Sequence, residues 1–287
     1  MESKSYTRLT LALDIIRRLT AGPYRGYHEL NIIKHQIDLH DIVSIDAASS
    51  TVISSNHPRV PCDSSNICFK AVELMKQHYR IDKNVHIHIE KRIPVQGGLA
   101  GGSANAATVL AMLNDLWGVG ADTPDLIGLA RRLGQDVPFY FIGNTALDTE
   151  ATGILRPVEN CVHFDFVLCI PPFGVSTPAA YRSIDYSSIG MQKDKTLALC
   201  TALARGTHDE VLPLMHNDFE LSVFAGYPAL RGLKEKMLDL GCLRVVMSGS
   251  GSTLIGVASS RQQAEEIAGR IDCMCIVAET RQNTHVC

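Results

Sequence analysis

Apolar and polar positions alternate along this chain in two different periods. Alternating or continuous apolar runs predict strands, and apolar residues at helical spacing predict helices. The predicted strands are Leu9–Ile16, Ile42–Ile53, Val85–Ile89, Phe164–Pro172, Arg244–Ser259 with a Gly/Ser turn inside it, and Met274–Val277. The predicted helices are Asn66–Tyr79, Ser103–Trp117, Lys195–Leu203, Pro228–Leu240 and Gln262–Arg270. This mixture predicts an α+β fold in two lobes.

Two breaks in the pattern suggest how the chain is organised. The segment Arg17–Leu30 contains Gly22, Pro23 and Gly26 and is predicted to be a turn-rich loop. A second break lies between Thr149 and His163. The predicted domains are therefore 1–155 and 156–287.

Composition limits the class of protein. The 287 residues are 46% hydrophobic and 20% charged, with a net charge of -3. This composition is typical of soluble globular proteins. It lacks the excess of positive charge that nucleic-acid-binding proteins carry. The chain shows no apolar run of membrane length and no signal-peptide core. We expect small-molecule partners, no nucleic acid, no membrane, and a monomer or homodimer.

Cysteine usage points to a reducing compartment. The chain has nine cysteines and no C-x-x-C pair. An odd number of cysteines, without the spacing of a disulfide framework, predicts reduced thiols and a cytoplasmic location. Most of these cysteines are expected to act as small buried apolar side chains.

A glycine run separates the predicted strand at Val85–Ile89 from the helix that follows it. The run is "PVQGGLAGGSANAA", residues 94–107. Glycine leaves the main-chain amides accessible, and the start of a helix favours an anion, so this arrangement suits a phosphate group. Ser103 is the predicted N-cap, and Gly118 and Gly120 are predicted to end the helix. The run matches neither the P-loop nor the dinucleotide fingerprint, and a tight turn that packs a helix on a sheet is the alternative.

Two other patterns in the sequence are candidate sites. His86 and His88 share a strand face with Glu90, and such a pair can bind metal, although a solvated strand face is the favoured interpretation. The "GSGS" turn at Gly249–Ser252 lacks the G-x-S-x-G spacing of a nucleophile elbow, which argues against a hydrolase.

Several segments together resemble the GHMP kinase family. The glycine run resembles the second motif of that family, and "VVMSGSGSTLIG" (245–256) resembles the third. Within the family, "RGYHEL" (25–30), "LGQDVPFYFIGNTAL" (133–147), "STPAAY" (176–181) and "NDFE" (217–220) resemble, in order, the branch that phosphorylates a CDP-linked methylerythritol. The resemblance runs from about Thr7 to Gly256. It implies an N-terminal ATP-binding lobe and a C-terminal α/β lobe with the active site between them.

The resemblance also implies a reaction. The kinase would transfer the γ-phosphate of ATP, with Mg²⁺, to a hydroxyl of CDP-linked methylerythritol in non-mevalonate isoprenoid synthesis. Asp136 matches the general base, and a loop cap before Pro138 is its alternative role. Arg8 matches the second catalytic position. Ser103 is a candidate Mg²⁺ ligand.

The resemblance assigns the nucleotide side to the glycine run and its flanks. The implied ATP-binding residues are Asn66, Lys91, Pro94, Gly97, Gly98, Leu99, Ala100, Gly101, Gly102, Ser103, Ala104 and Asn105. The implied support of the phosphate loop is Ser248, Gly249, Ser250 and Gly251. For Asn66 a helix N-cap is the alternative, and for Lys91 a solvated strand end.

The resemblance assigns the acceptor side to aromatic and polar side chains. Tyr27 and Tyr181 match the rings that hold the cytosine, and His28 matches the residue that reads its edge. Thr10, Thr177 and Asp136 match other positions near the acceptor. The alternative is that both tyrosines are ordinary half-buried aromatics and that His28 is structural.

Four departures from the family pattern affect the acceptor side. Arg8 replaces a lysine, Thr10 replaces an asparagine, and the loop 17–26 is a few residues longer. The stretch "GNTALDTEATG" (143–153) has Asn144 and acidic residues (Asp148, Glu150) where the family has glycines and basic residues. Two alternatives therefore stay open: a GHMP kinase for another nucleoside, polyol or sugar, and a nucleotide-binding relative with impaired catalysis. The retained Asp136 argues against the second, whereas the change to Arg8 argues mildly for it.

Overall fold

A computed structural model describes residues 1–22, 25–95, 97–149, 154–187 and 189–281. Pro23 and Glu150, which were singled out above, lie outside the described residues, and so does Cys287, one of the nine cysteines. The strands are β1 (Glu2–Arg18), β2 (His28–Ala48), β3 (Val52–Ser55), β4 (Asn84–Glu90), β5 (Thr145–Thr149), β6 (Ile154–Pro157), β7 (Asp165–Ile170), β8 (His216–Asn217), β9 (Arg244–Met247), β10 (Leu254–Ala258) and β11 (Met274–Glu279). The helices are α1 (Ile67–Tyr79), α2 (Gly101–Trp117), α3 (Thr123–Leu133), α4 (Phe139–Ile142), α5 (Thr177–Arg182), α6 (Lys193–Arg205), α7 (His208–Val211), α8 (Phe219–Gly226), α9 (Pro228–Asp239) and α10 (Arg261–Ala268).

The chain forms two compact units, and each is assembled from several segments. The first contains Met1–Thr7, Leu39–Val95 and Ala100–Gly143. The second contains Arg8–Asp38, Gln96–Leu99 and Asn144–Cys287. The long strands β1 and β2 therefore contribute residues to both units. The ranges 1–155 and 156–287 remain a prediction about sequence domains.

The first unit packs three helices with one another beside a sheet. The strand order there is β3-β4-β2-β1, with β3 parallel to β4 and β4 antiparallel to β2. Helix α1 packs against α2 and α3. Val85, Ile87 and Ile89 alternate along β4 and are buried in the core, as their period predicts. The core therefore forms where the apolar faces of β4 and the helices meet.

The ends of α1 and α2 show which capping predictions hold. The side chain of Asn66 caps α1 by accepting a hydrogen bond from the amide of Cys68. Helix α2 ends at Trp117, and Gly118 follows it in the left-handed conformation (φ 65°), as predicted. The prediction that Ser103 is the N-cap was wrong. The helix begins at Gly101, and Ala100 holds the cap position with a φ of 52°. Gly101 and Gly102 occupy the first two helical positions, and because glycine disfavours helices, the sequence pattern placed the start of the helix too late.

The second unit contains a four-stranded antiparallel sheet in the order β11-β7-β10-β9. Helix α10 packs on β7, β10 and β11, and α9 packs on β9 and β10. The second unit also holds the pairings of β1 with β8, β2 with β5, and β5 with β6. The predicted strand, Gly/Ser turn, strand pattern is confirmed by β9 and β10, which pair from Arg244 with Val257 to Met247 with Leu254.

The part of the chain that the structure describes contains no helix that is both long and apolar enough to cross a bilayer.

Candidate active site

The segment Gly97–Ser103, called here the glycine loop, begins in the second unit. Gly98 has a φ of 74°, a conformation that side chains rarely adopt. A Cβ atom placed on Gly98 would lie 2.7 Å from the carbonyl oxygen of Ser248 and 3.0 Å from that of Gly251. The main chain of the loop and the Gly/Ser turn therefore approach so closely that only glycine fits.

Two buried side chains hold the Gly98 carbonyl oxygen. The Arg8 guanidinium donates to it from 3.1 Å, and the Ser248 hydroxyl lies 3.4 Å from it. Arg8 is only 7% exposed, and its Nη1 also lies 3.4 Å from the Thr10 hydroxyl. The structure thus joins Arg8, the predicted second catalytic residue, to the glycine loop, and Thr10 of the predicted acceptor side to Arg8. A guanidinium keeps its charge at any ordinary pH, so Arg8 is a permanent cation at this point.

The Gly/Ser turn between β9 and β10 is itself fixed by Asn217. The Asn217 amide donates to the carbonyl oxygens of Met247 and Gly249, each at 2.7 Å. Glu220 accepts from the Met247 amide at 2.8 Å. The segment "NDFE" had been matched to the family without a role. Its first and last residues hold the turn that lies against Gly98.

The glycine loop continues into the first unit, where α2 begins. A Cβ atom on Gly101 would lie 2.9 Å from a methyl carbon of Ile93. The Tyr140 hydroxyl donates to the Ala100 carbonyl oxygen at 3.1 Å. The first amide to bond in the helical pattern is that of Ala104, which donates to Ala100. The amides of Gly101, Gly102 and Ser103 precede it and point out of the helix start, which suits an anion.

Asp41 connects the strand before the glycine loop to the helix after it. Its carboxylate is fully buried and accepts from Lys91 Nζ at 2.6 Å and from Asn105 Nδ2 at 3.0 Å. It also accepts from the amides of Arg92 and Ile93, at 2.7 and 2.8 Å. These four donors satisfy the hydrogen-bonding capacity of a buried carboxylate. Asp41 leaves no signal in the sequence, because its side-chain partners lie 50 to 64 residues further along the chain.

Lys91 is part of this network, so the alternative of a solvated strand end was wrong. Its side chain is 6% exposed. Burial lowers the pKa of Lys91 below its ordinary value, although the adjacent Asp41 carboxylate opposes this shift. Asn66 has the structural role weighed as its alternative, since it caps α1 and is 6% exposed.

Asp136 lies in the turn between α3 and α4 and is half-buried. Its main-chain carbonyl accepts from the Phe139 amide at 3.3 Å. Pro138 is the N-cap of α4, and within the described residues no side chain caps that helix. The main-chain carbonyl of Asp136 thus closes the turn that leads into α4, and its roles as general base or as loop cap before Pro138 stay predictions.

Three rings of the second unit form what we call the aromatic group: His28, Tyr181 and Tyr186. The rings of His28 and Tyr181 stack with centroids 4.4 Å apart, and those of His28 and Tyr186 with centroids 6.0 Å apart. His28 Nε2 lies 2.7 Å from the Tyr186 hydroxyl. Partial burial, and then the positive charge of Arg18, lower the pKa of His28. At neutral pH one ring nitrogen can therefore donate and the other accept.

The structure brings together some of the residues that were predicted to bind cytosine. His28 and Tyr181 were both predicted, and they lie together. Tyr27 is 59% exposed and so is not the half-buried aromatic weighed as its alternative. Tyr186 was missed, because no spacing in the sequence relates it to His28. The predicted residue Thr177 contacts Ser250, with their hydroxyl oxygens 2.9 Å apart.

Two of the departures from the family pattern have structural explanations. Asn144 has a φ of 49°, which explains how it stands where glycine is usual, since asparagine tolerates this region better than most residues. The Asp148 carboxylate accepts from Lys34 Nζ at 2.6 Å, and the Lys34 side chain is fully buried. Asp148 is thus the partner of a buried cation, which the sequence pattern did not indicate.

The two histidines on β4, for which a solvated strand face was favoured over a metal site, contact a serine. His86 and His88 both lie within 2.9 Å of the Ser54 hydroxyl. Where the chain is described, the side chains close enough to share a metal ion are instead those of His163, Asp165 and Glu279. Arg261 lies 3.5 Å from Glu279, so part of the negative charge there is already balanced.

Comparisons with known proteins agree with this geometry. The N-terminal domain model of the GHMP kinases matches residues 66–144, and the C-terminal model matches residues 199–276. A 4-diphosphocytidyl-2-C-methyl-D-erythritol kinase from Gloeobacter violaceus is 38% identical, over 91% of this chain and 86% of that protein. An enzyme of the same name from Alkaliphilus oremlandii is 37% identical, over 91% of this chain and 89% of its own.

Solved structures give the same result. A crystal structure of a 4-(cytidine 5'-diphospho)-2C-methyl-D-erythritol kinase matches with a TM-score of 0.82 and 30% identity, over 99% of this chain and 100% of that one. A homoserine kinase from Cytophaga hutchinsonii matches with a TM-score of 0.74 at 16% identity, which is evidence of a shared fold alone. The predicted α+β GHMP kinase fold with an N-terminal and a C-terminal domain is confirmed. On all of this evidence, the chain belongs to the GHMP kinase family.

Proposed function

We propose that this chain transfers the γ-phosphate of ATP to a hydroxyl group of 4-diphosphocytidyl-2-C-methyl-D-erythritol, a step of non-mevalonate isoprenoid synthesis. As a GHMP kinase it is an ATP-dependent phosphotransferase that acts on an alcohol. The observation that carries the choice of acceptor is the match to kinases of this one name along about nine-tenths of the chain, both sides of the proposed site included.

The glycine loop is proposed to bind the triphosphate through its main chain. Glycines at positions 98 and 101 allow the close packing described above, and the amides of Gly101 and Gly102 at the start of α2 would meet an anion without a side chain of their own in the way. Mg²⁺ would neutralise charge on the phosphates. The Ser103 hydroxyl is a hard oxygen ligand beside those amides, which fits Mg²⁺, so Ser103 is the residue proposed to hold it.

Asp136 is proposed to act as the general base. Its carboxylate would accept the proton of the acceptor hydroxyl while that oxygen forms a bond to the γ-phosphorus. The bond between the γ-phosphorus and the bridging oxygen breaks, and ADP leaves. Arg8 would supply a fixed positive charge beside the loop as negative charge moves toward the leaving group. The retained acid and the buried cation support an active enzyme over an impaired nucleotide-binding relative.

The aromatic group is proposed to recognise the cytosine. A neutral His28 can hydrogen-bond both a donor and an acceptor on the edge of the base. Tyr181 of the group, and Tyr27 outside it, would offer ring faces. Thr10 and Thr177 are proposed to contact the rest of the acceptor. We also propose a cytoplasmic location, in keeping with the reduced thiols at Cys62, Cys68 and Cys200.

A substrate panel tests this proposal. The purified chain is given ATP and Mg²⁺ with 4-diphosphocytidyl-2-C-methyl-D-erythritol, or with nucleosides, polyols and sugars, and ADP release is followed while products are identified by mass. Turnover with the CDP-linked compound alone is expected. Turnover with a panel member alone would overturn the acceptor and leave a GHMP kinase of other specificity. ATP binding without turnover of any acceptor would overturn the reaction itself.

A further inference from the structure

Four cysteines of the second unit surround the four-stranded sheet, and the proposed reaction uses none of them. Cys169 lies on β7, Cys275 lies on β11, and Cys242 and Cys273 lie close to these strands. Cys169 and Cys275 are register partners across the antiparallel pair of β7 and β11. Their sulfur atoms are 3.4 Å apart, which is hydrogen-bond distance for two thiols.

This geometry is close to that of a disulfide. Directly opposed residues of an antiparallel pair have Cβ atoms roughly 4.5–5.5 Å apart, and a disulfide requires roughly 3.5–4.5 Å. The remaining approach of the sulfur atoms, from 3.4 Å to about 2.05 Å, is small. Rotation of the two side chains with a slight movement of β11 would suffice.

The two thiols differ in access. Cys169 is fully buried, whereas Cys275 is half-buried. An oxidant from solvent therefore meets Cys275 first. The two thiols also differ in acidity. A hydrogen bond from the Cys169 thiol lowers the pKa of Cys275, against the effect of burial. The same hydrogen bond, and then burial, raise the pKa of Cys169. Because the thiolate is the reactive form, Cys275 is the better nucleophile.

We propose that Cys275 and Cys169 are a redox-active pair, in which a hydroperoxide oxidises Cys275 and the Cys169 thiol then closes a disulfide. In the first step, written here for hydrogen peroxide, the Cys275 sulfur attacks one peroxide oxygen, the O–O bond breaks, and a sulfenic acid and one water are formed; an organic hydroperoxide would release its alcohol in place of this water. In the second step the Cys169 sulfur attacks the Cys275 sulfur and releases the sulfenic oxygen as a second water. The two sulfurs lose two electrons together, and the peroxide gains them.

Cys273 is the competing partner, since it is two residues from Cys275 and half-buried. It stands on the same segment of chain, just before β11, whereas Cys169 is held directly opposite by the strand register. The register therefore favours Cys169. This pairing modifies the sequence-based view that most cysteines are inert apolar side chains, because these two are arranged to react with each other.

The wild-type chain gives the first test. The folded, fully reduced protein is treated with a small excess of hydrogen peroxide, unreacted thiols are alkylated, and the cross-linked peptides are mapped by mass. A Cys169–Cys275 link that has lost two hydrogen atoms, and that dithiothreitol reverses, is expected in most molecules. A Cys273–Cys275 link instead, or a Cys169 that stays open to alkylation after denaturation, would overturn the proposal. This experiment uses the wild-type chain, so its result remains valid even if a substitution impairs folding.

Variants separate the roles of the two thiols. In Cys169→Ser, checked for folding by circular dichroism, the sulfenic acid should persist on Cys275 and be trapped by dimedone. In Cys275→Ser, neither dimedone adduct nor disulfide should form on this pair. Cys62→Ser removes an exposed thiol elsewhere in the chain and should leave the disulfide unchanged. Dimedone labelling of Cys169 rather than Cys275 would contradict the order of the two steps.

Discussion

The glycine loop is held by buried main-chain contacts, whereas the aromatic group is held by contacts between partly exposed rings. At the loop, added side chains on Gly98 or Gly101 have no room, and buried Arg8 and Asp41 hold the neighbouring main chain. In the aromatic group, Tyr186 is 50% exposed and contacts His28 through its hydroxyl and ring. In the proposed function the first region binds the nucleotide and the second recognises the acceptor.

This difference predicts how each region responds to substitution. A buried main-chain site cannot change without disturbing the fold, so folding and ATP binding should fail together. A partly exposed ring contributes little to stability, so acceptor recognition can change while the fold remains. The experiments below test this contrast, beginning with the largest expected effect.

Removal of the Asp41 carboxylate should be the most destabilising change. Asp41→Ala leaves the Lys91 ammonium buried without its partner and removes the acceptor of two amides before the loop. We expect a loss of about 3–5 kcal/mol in the free energy of unfolding, measured by urea denaturation. Asp272→Ala is the matched control. It breaks a Lys–Asp contact of 2.7 Å in which the aspartate is 95% exposed, and no measurable change in the free energy of unfolding is expected, because solvent screens an exposed pair. Equal losses in both variants would contradict the importance of burial.

Gly98→Ala should damage folding and nucleotide binding together. The new Cβ atom would meet the Ser248 carbonyl oxygen at 2.7 Å, and the φ of 74° adds strain. We expect a loss of about 1–3 kcal/mol in stability and a clear rise in KM for ATP. Gly128→Ala is the control. That glycine lies inside α3, and a Cβ atom there meets no described atom within 4 Å. It should gain up to about 1 kcal/mol with unchanged kinetics. An undisturbed Gly98→Ala would refute the close packing.

A pH series tests the strand that carries Asn217. His216 of β8 donates to the Asp14 carboxylate and the Leu214 carbonyl, each at 2.7 Å. Burial lowers the pKa of His216, but these acceptors outweigh it and raise the pKa above its ordinary value. The stabilisation should be fully present below the unfolded pKa of about 6.5 and lost as pH rises through the folded pKa. His216→Gln should therefore destabilise more at about pH 6 than at about pH 9. A difference independent of pH would exclude this ion pair.

The aromatic group should give the smallest change in stability. Tyr186→Phe removes the hydroxyl that lies 2.7 Å from His28 Nε2 and keeps the ring. We expect stability within about 0.5 kcal/mol of wild type and a rise of several-fold in KM for the acceptor. KM for ATP in the same assay is the internal control and should not change. A rise in KM for ATP with no change in KM for the acceptor would contradict a role of Tyr186 in acceptor recognition.

Much of the fold was predictable because local pattern determined it. Helix α1 with its Asn66 cap, the Gly118 end of α2, and the turn between β9 and β10 all follow from short-range signals. Strand β2 was only partly predicted, because it carries Lys34, His35 and Gln36 at buried positions. These residues look like a polar loop in the sequence. Lys34 is buried because Asp148, 114 residues later, neutralises it.

The site was predictable where a motif carried it and unpredictable where distant residues meet. The resemblance brought Arg8, Gly98 and Ser248 to attention, and the structure joins them. Asp41 and Tyr186 were missed, since their partners Lys91 and His28 are 50 and 158 residues away. Such contacts depend on the packing of whole elements and leave no periodic signal in the chain.

The most direct test of the account compares catalysis with nucleotide binding in Asp136→Asn. If the main chain of the glycine loop binds ATP and the Asp136 carboxylate accepts the acceptor's proton, the two measurements should separate. We predict that kcat with 4-diphosphocytidyl-2-C-methyl-D-erythritol falls on the order of 10²–10⁴-fold, while the Kd for ATP by calorimetry stays within about twofold. A variant that retains most of its kcat, or that loses ATP binding in proportion to its activity, would contradict the account.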